Sequence, residues 1–419
     1  MRSSIIVFHI SLLALVRSDP VEWLIFSNSA TYVSSPIGFG PGGGLLKVNL
    51  SLNQFDNNPA SSVLSVLSES QLQGWQNTID DFRQAQPNVL VSTHFAAFEK
   101  ELNISLPLTN AAAERFFLVL TFPNSKPDDV DVLAPSGRMN VDWEQNDGSF
   151  IQYQFVPLAN AMQILRNLVL VFTALYGIHL IGNFRTVSGL HYFYVFVLCF
   201  ASLFLQVWIR AIQAESSTGQ RLTWETRISP SLMEKIFDVL EVLVYLLSAL
   251  GWKTLRSSLS VNEIKTIGAV SVLSLALGGA EVACGDDEAQ CGSYTSARML
   301  LHMFGFLTAI IAFTSHVVFL SAHLGESSIA SPETGVMYVK LSQFRWFRLI
   351  FIVFIVQPTV AVMIRADILD WFDDWLFLTI FWATKLMLIS AVAVVFRPLV
   401  PRMSLVDLAI KQRQIQQQS

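Results

Sequence analysis

Charge is what this sequence has least of. Only 14% of its 419 residues are Asp, Glu, Lys or Arg, where a soluble chain of this size carries about a quarter. Its 27 lysines and arginines form no patch or stripe dense enough for a nucleic-acid partner. Cysteine is scarce as well: three in the whole chain cannot make a disulfide-stapled scaffold. No histidine shares a loop with the two clustered cysteines, which argues against a structural metal there. The run "GFGPGGG" (Gly38 to Gly44) lacks the lysine and following helix of a phosphate-binding loop, so it reads as a β-turn. No motif calls for a cofactor.

What the chain has instead is long apolar runs. They dominate residues 158–397, whereas 19–157 reads like an ordinary soluble domain and 398–419 like a polar tail. The start, "MRSSIIVFHISLLALVRSDP", has a positive Arg2 and an apolar stretch from Ile5 to Val16. That stretch is too short for a bilayer, which needs about 20 residues, and residues 1–18 are read as a signal peptide. Hydropathy then predicts seven spans near 162–182, 191–212, 232–252, 264–283, 298–321, 346–364 and 375–396. Small residues in the fourth are expected on a buried packing face. Pro358 is expected to kink the sixth. Alternate loops sort by charge, apart from Arg221, Arg227 and Arg365, which Glu215, Glu225 and Asp367 accompany. Arg185, Lys253, Arg256, Lys340, Arg345, Arg348 and Arg397 fall on one side, and Asp286, Asp287, Glu288, Asp367, Asp370, Asp373 and Asp374 on the other. The positive-inside rule therefore places the N-terminus in the lumen and the C-terminus in the cytosol.

On that topology the loop holding Cys284 and Cys291 is lumenal, where the two thiols would pair, while Cys199 is expected to be an inert core residue. Asn49-Leu-Ser and Asn103-Ile-Ser are glycosylation acceptors in the lumenal domain. The domain's runs "VEWLIFS", "GLLKVNLSL", "NVLVSTHF", "RFFLVLTFP", "DVDVLAP" and "SFIQYQFVP" alternate like strands. "ESQLQGWQNTIDDFRQAQ" (Glu69 to Gln86) has helical periodicity. A β-sandwich of six to eight strands with one helix is expected. It contains one histidine, His94, and solvated acids, and suggests a binding module rather than an enzyme.

Three further stretches carry a resemblance. "LSALGWKTLRSSLS" (Leu247 to Ser260), "WFDDW" (Trp371 to Trp375) and "VFRPLV" (Val395 to Val400), in that order across the helical part, look like features of the GOLD-domain seven-transmembrane family. That family includes the lung seven-transmembrane receptor-like proteins and, more distantly, Wntless. The resemblance implies an α-helical membrane protein: a seven-transmembrane bundle with an N-terminal lumenal GOLD-like β-sandwich. It also implies residence in the Golgi, with the plasma membrane as an alternative, and a part in trafficking through a lumenal cargo or partner. Many family members carry cysteines in the lumenal domain; this chain has none there. The third span ends Gly251-Trp252-Lys253, without the acidic-Arg-Tyr triplet of conventional G-protein-coupled receptors.

Ionisable residues inside the spans are the candidate site. Each isolated charge at a helix centre costs roughly 2.5–3.5 kcal/mol on insertion scales. Lys385 lies near the middle of the seventh span and Glu241 near the middle of the third, with Asp238 one turn earlier. A Lys385–Glu241 pair would neutralise both charges. It could serve to fix helix register, or line a polar cavity for a lipid headgroup or an ion, with His302, one turn from Arg298, adding pH sensitivity. Gln357 is a further lining candidate, and Arg166 is expected to snorkel. Three functions follow: a trafficking protein that binds membrane lipid and a lumenal partner, a cation channel or transporter, or an orphan seven-helix receptor.

Overall fold

The computed structural model describes residues 24–26, 31–34, 36–54, 62–69, 71, 91–95, 101–121, 136–148, 155–218, 224–284, 288–326, 332–370 and 373–398. The expected signal peptide, most of the Glu69–Gln86 helix, the runs at 129–135 and 149–154, and nearly all of the tail lie outside these residues.

Nine strands are described, in two antiparallel sheets. They are β1 (Leu24–Phe26), β2 (Thr31–Val33), β3 (Ile37–Phe39), β4 (Gly44–Gln54), β5 (Ser62–Ser68), β6 (Val91–Phe95), β7 (Glu101–Leu108), β8 (Glu114–Thr121) and β9 (Ser136–Gln145). One sheet runs β1-β9-β4-β7; the other runs β2-β8-β5-β6, with β3 also on β8. Alternation along each strand decides what lies between them. Leu46, Val48 and Leu50 of β4 and Met139, Val141 and Trp143 of β9 are buried against Leu64, Val66, Phe116, Leu118 and Leu120 from the opposite sheet. Phe39 meets Phe116 edge-on at 5.7 Å. Each such side chain contributes about 1.5–3 kcal/mol by leaving water. Apolar side chains dominate this core, as a cysteine-free sandwich requires, and the buried polar Ser34 and Gln145 are hydrogen-bonded to backbone.

The glycine run does form a turn. Gly42 and Gly43 take φ of +94° and +74°, which glycine reaches without strain, and Gly43 N–H donates to Gly40 O at 3.1 Å. A Cβ on Gly43 would sit 2.0 Å from Leu108 O, so this turn also passes too close to β7 for any side chain. Gln145 closes the corner from β9, accepting from Gly40 N–H at 3.0 Å and donating to Gly38 O at 2.9 Å.

Seven long helices follow: α1 (Leu158–Gly182), α2 (Gly189–Thr218), α3 (Trp224–Ala249), α4 (Val261–Cys284), α5 (Glu288–Glu326), α6 (Pro332–Asp367) and α7 (Asp374–Val395). Six of them are long and apolar enough to cross a membrane. The exception is α3, where Glu234, Lys235, Asp238 and Glu241 crowd into two turns. α1, α2, α3, α5, α6 and α7 all feed one apolar core. Their outer faces are apolar too: Ile164, Leu168, Leu175, Ile178 and Ile181 of α1 are all more than 60% exposed. A continuous apolar surface of that kind is what a lipid solvent requires.

Helix ends follow local chemistry. α3 stops at Gly251, whose φ of +67° is the left-handed conformation that ends helices. α4 starts on a reciprocal cap: Ser260 Oγ accepts from Glu263 N–H at 3.2 Å, and Glu263 accepts from Ser260 N–H at 2.7 Å. At the opposite end of α2, His191 Nδ1 accepts from Ser188 N–H at 2.9 Å, leaving Nε2–H to donate to Phe396 O at 2.8 Å. That bond ties α2 to the end of α7.

The structure corrects several expectations. α5 begins at Glu288 and α6 at Pro332, about ten and fourteen residues before the predicted spans. Hydropathy marks only the apolar middle of a helix whose polar ends continue. Cys291 therefore lies in the first turns of α5 rather than in a loop, and Lys340, Arg345 and Arg348 lie on α6. Cys199 is exposed on the bundle surface, not in the core. Of α4, only Ser274 and Gly278 are buried, and a Cβ on Gly268 or Gly279 would meet nothing within 4 Å. The two residues that do pack are thus both small, as expected of a packing face, while Gly268 and Gly279 lie off it.

Candidate functional site

α3 is the axis of the site because it touches α2, α4, α5, α6 and α7. Its period of 3.6 residues puts Glu234, Lys235, Asp238 and Glu241 along adjoining stripes. Lys385 enters from α7: its Nζ is 2.9 Å from Glu241 Oε2 and 3.3 Å from Asp238 Oδ1. The other oxygen of Asp238 accepts from Arg298 Nη1 of α5 at 2.9 Å. Arg298 Nε in turn lies 3.1 Å from Glu281 Oε2 of α4, an ion pair whose alignment falls short of a hydrogen bond. Glu281 Oε1 accepts from Lys235 Nζ at 2.7 Å, returning the chain of charges to α3.

The result is one linked set: Glu241, Lys385, Asp238, Arg298, Glu281 and Lys235. Three acids and three bases alternate, so its net charge is zero. Lys385 is only 9% exposed, Lys235 5%, Arg298 4% and Glu241 4%. At such burial each single charge would be costly, and alternation of sign is what makes the set tolerable. Gly278 of α4 is what permits the close approach: a Cβ there would come 3.0 Å from Lys235 Cβ. Glu234 stands beside this set, with no hydrogen bond or ion pair among the described residues.

Aromatic rings close the other side of Lys385. Its Nζ is 5.0 Å from the Trp382 ring centre, 5.6 Å from Phe381 and 5.8 Å from Phe237, within cation–π range. Trp382 itself packs 5.0 Å from Phe204 and 5.7 Å from Trp208. The ammonium is held between two carboxylates and a wall of rings.

Not every polar atom nearby is satisfied. Glu241 Oε1, the Tyr245 hydroxyl and Gln357 Oε1 are buried with no hydrogen-bond partner. Tyr245 follows Glu241 by one turn of α3 and stacks on Phe354 of α6, ring centres 4.1 Å apart. Gln357 lies on that same helix and donates to Phe381 O, one turn before Lys385, at 3.4 Å. Glu241 and Tyr245 lie on α3 and Gln357 on α6, two helices that each touch α7.

No family model matches this sequence, and no curated protein is similar enough to count as a relative.

Four sequence candidates can therefore be placed on geometry alone. Lys385, Glu241 and Asp238 come together. His302 bonds elsewhere, its Nε2 2.7 Å from Ser274 Oγ of α4, and lines a cleft with Val239, Val242 and Ile267. Cys284 is disulfide-bonded; the side chain of Cys291 lies outside the described residues. Asn49 and Asn103 are both exposed on the four-stranded sheet. Arg166 reaches Asn167 Oδ1 at 3.2 Å, on its own helix. The sequence reading misses Arg298, Glu281 and Lys235 as members of the site. The available signal is the period of α3, since Lys235 and Asp238 are three apart and demand partners on flanking helices.

Proposed function

We propose that this chain is a seven-helix membrane protein of the secretory pathway, with its β-sandwich in the lumen and its C-terminus in the cytosol. We read it as a non-enzymatic protein that binds a lumenal or membrane partner in support of Golgi or post-Golgi trafficking. The supporting observation is the neutral set of ion pairs around α3. A helix with four charges in two turns is a poor span alone. With Lys385, Arg298 and Glu281 answering it from three neighbours, it becomes compatible with the hydrocarbon layer. Seven spans put the sandwich and the tail on opposite sides, which agrees with the sorting of basic and acidic loops. The trafficking role itself leans on the family resemblance. Microscopy of a tagged full-length chain in its native cell tests it: Golgi or endosomal residence supports the reading, and steady plasma-membrane residence refutes it.

The unpartnered oxygens of Glu241, Tyr245 and Gln357 favour a second reading, a cation channel or transporter that uses the Glu241–Lys385 region. Liposome flux with wild type, Lys385→Gln and Glu241→Gln separates the two. A conductance that the substitutions change supports the second reading; an equal background in all three sinks it.

A further inference from the structure

The two glycosylation acceptors are neighbours in space. β4 and β7 are antiparallel, and Asn49 pairs directly with Asn103, between the pairs Lys47–Ser105 and Ser51–Glu101. Directly opposed residues of an antiparallel pair project to the same face. The alternate residues Leu46, Val48, Leu50 and Leu106 are buried in the sandwich core. Asn49 and Asn103 therefore point outward together, and both are exposed.

We propose that the folded chain carries a single N-linked glycan on this face, at Asn49 or at Asn103 and never at both. Cβ atoms of a direct cross-strand pair stand about 4.5–5.5 Å apart, so two sugars rooted there would compete for one space above the sheet. The strands cannot slip to make room. β4 is held by β7 on one side from Gly44 to Ser51 and by β9 on the other, whose one register shift, between Leu52 and Gln54, lies beyond the acceptor pair. A one-residue slip would turn Leu46, Val48 and Leu50 into solvent. In the reaction, the asparagine amide nitrogen bonds to the anomeric carbon of an oligosaccharide carried on a lipid pyrophosphate. The anomeric C–O bond breaks, the pyrophosphate leaves with its electron pair, and the amide gives up one proton. Nothing is oxidised or reduced. The reaction takes an extended chain as it enters the lumen, before β4 meets β7, so the exclusion acts in folding: a chain that took a sugar at both asparagines cannot close this strand pair and is lost from the folded population. A sugar in this place shields the outer face of the sheet, which leaves that face unfit for a protein partner.

The inference rests on the lumenal placement proposed above, and one experiment tells the two failures apart. Full-length chain made in secretory cells is purified as a monodisperse species in detergent. Its intact mass is then measured before and after enzymatic removal of N-glycans. Wild type, Asn49→Gln and Asn103→Gln are each expected to lose the mass of one glycan, and the double substitution none. Two glycans on folded wild type overturn the exclusion, and so does a bare Asn49→Gln chain. A third variant, Asp147→Asn, makes an Asn-Gly-Ser acceptor with Gly148 and Ser149 in the exposed turn after β9 and keeps the glycine, whose φ is +79°. If wild type is bare while Asp147→Asn is glycosylated, the exclusion fails and the lumenal placement stands. If both are bare, the lumenal placement itself fails.

Discussion

Lys385→Met removes the one cation that Glu241 touches among the described residues. Glu241 is 4% exposed and its Oε1 already lacks a partner, so the substitution strands a buried carboxylate. Breaking a buried pair from one side costs about 3–5 kcal/mol. Asp238 suffers less, because it keeps Arg298 at 2.9 Å. The reverse substitution, Glu241→Gln, is milder. Lys385 keeps Asp238 at 3.3 Å, and the loss is one charged hydrogen bond, about 1.5–3 kcal/mol. The double variant carries no stranded carboxylate and should therefore be more stable than Lys385→Met alone, although it has lost more atoms of the pair. The expected order is wild type, Glu241→Gln, the double variant, then Lys385→Met. Heating each protein in detergent and following the monodisperse fraction by size exclusion reads that order. If the double variant loses the sum of the two single losses, the residues are uncoupled and the reasoning fails. Equal losses for both single variants would also refute it, because the asymmetry depends on Asp238 serving as second partner.

The same assay checks three neighbours. Gly278→Leu should push α4 from Lys235 and Arg298 and cost about 1–3 kcal/mol, whereas Gly279→Leu, with open space at its Cβ, should be tolerated. His191→Ala should loosen α7 from α2 by removing the bond to Phe396 O, at about 1–3 kcal/mol, with loss of thermal stability as the readout. Gly43→Ala should drive a methyl into Leu108 O and force an alanine to φ near +74°; misfolding of the sandwich, read as loss of secreted or surface-displayed protein, is expected. Residues 232–252 placed alone in an insertion reporter should fail to span, since four charges at about 2.5–3.5 kcal/mol each have no partner helix there. The same segment with Glu234, Lys235, Asp238 and Glu241 replaced by leucine should insert.

Much of the fold is legible in the residues. The alternation of "GLLKVNLSL" places β4 and tells which face is core, and the apolar runs locate all seven long helices. The three-residue strands β2 and β3 escape because so short a segment has no period to read; their place comes from pairing along β8. β9 escapes for another reason: "SGRMNVDWEQ" alternates, but its polar residues outweigh Met139, Val141 and Trp143. Only the facing sheet shows which half counts. Helix lengths are understated wherever a polar end continues past the apolar middle, as in α5 and α6.

The site divides along the same line. Lys385 is conspicuous because its surroundings are apolar, and cost alone sends the reader to Glu241. Arg298 and Glu281 stand near the expected edges of their spans, where a charge can reach water and needs no partner. Their burial follows from the extra turns of α5 and from Gly278, neither of which hydropathy reports. The helix with the most charge in its middle, α3, is also the one with the most neighbours, and the two facts have one cause. A charged helix survives in a bundle only where other helices surround it with opposite charges, so the poorest span by composition is driven to the centre. In a chain like this, low hydropathy flanked by strong spans marks the bundle's polar core rather than a loop.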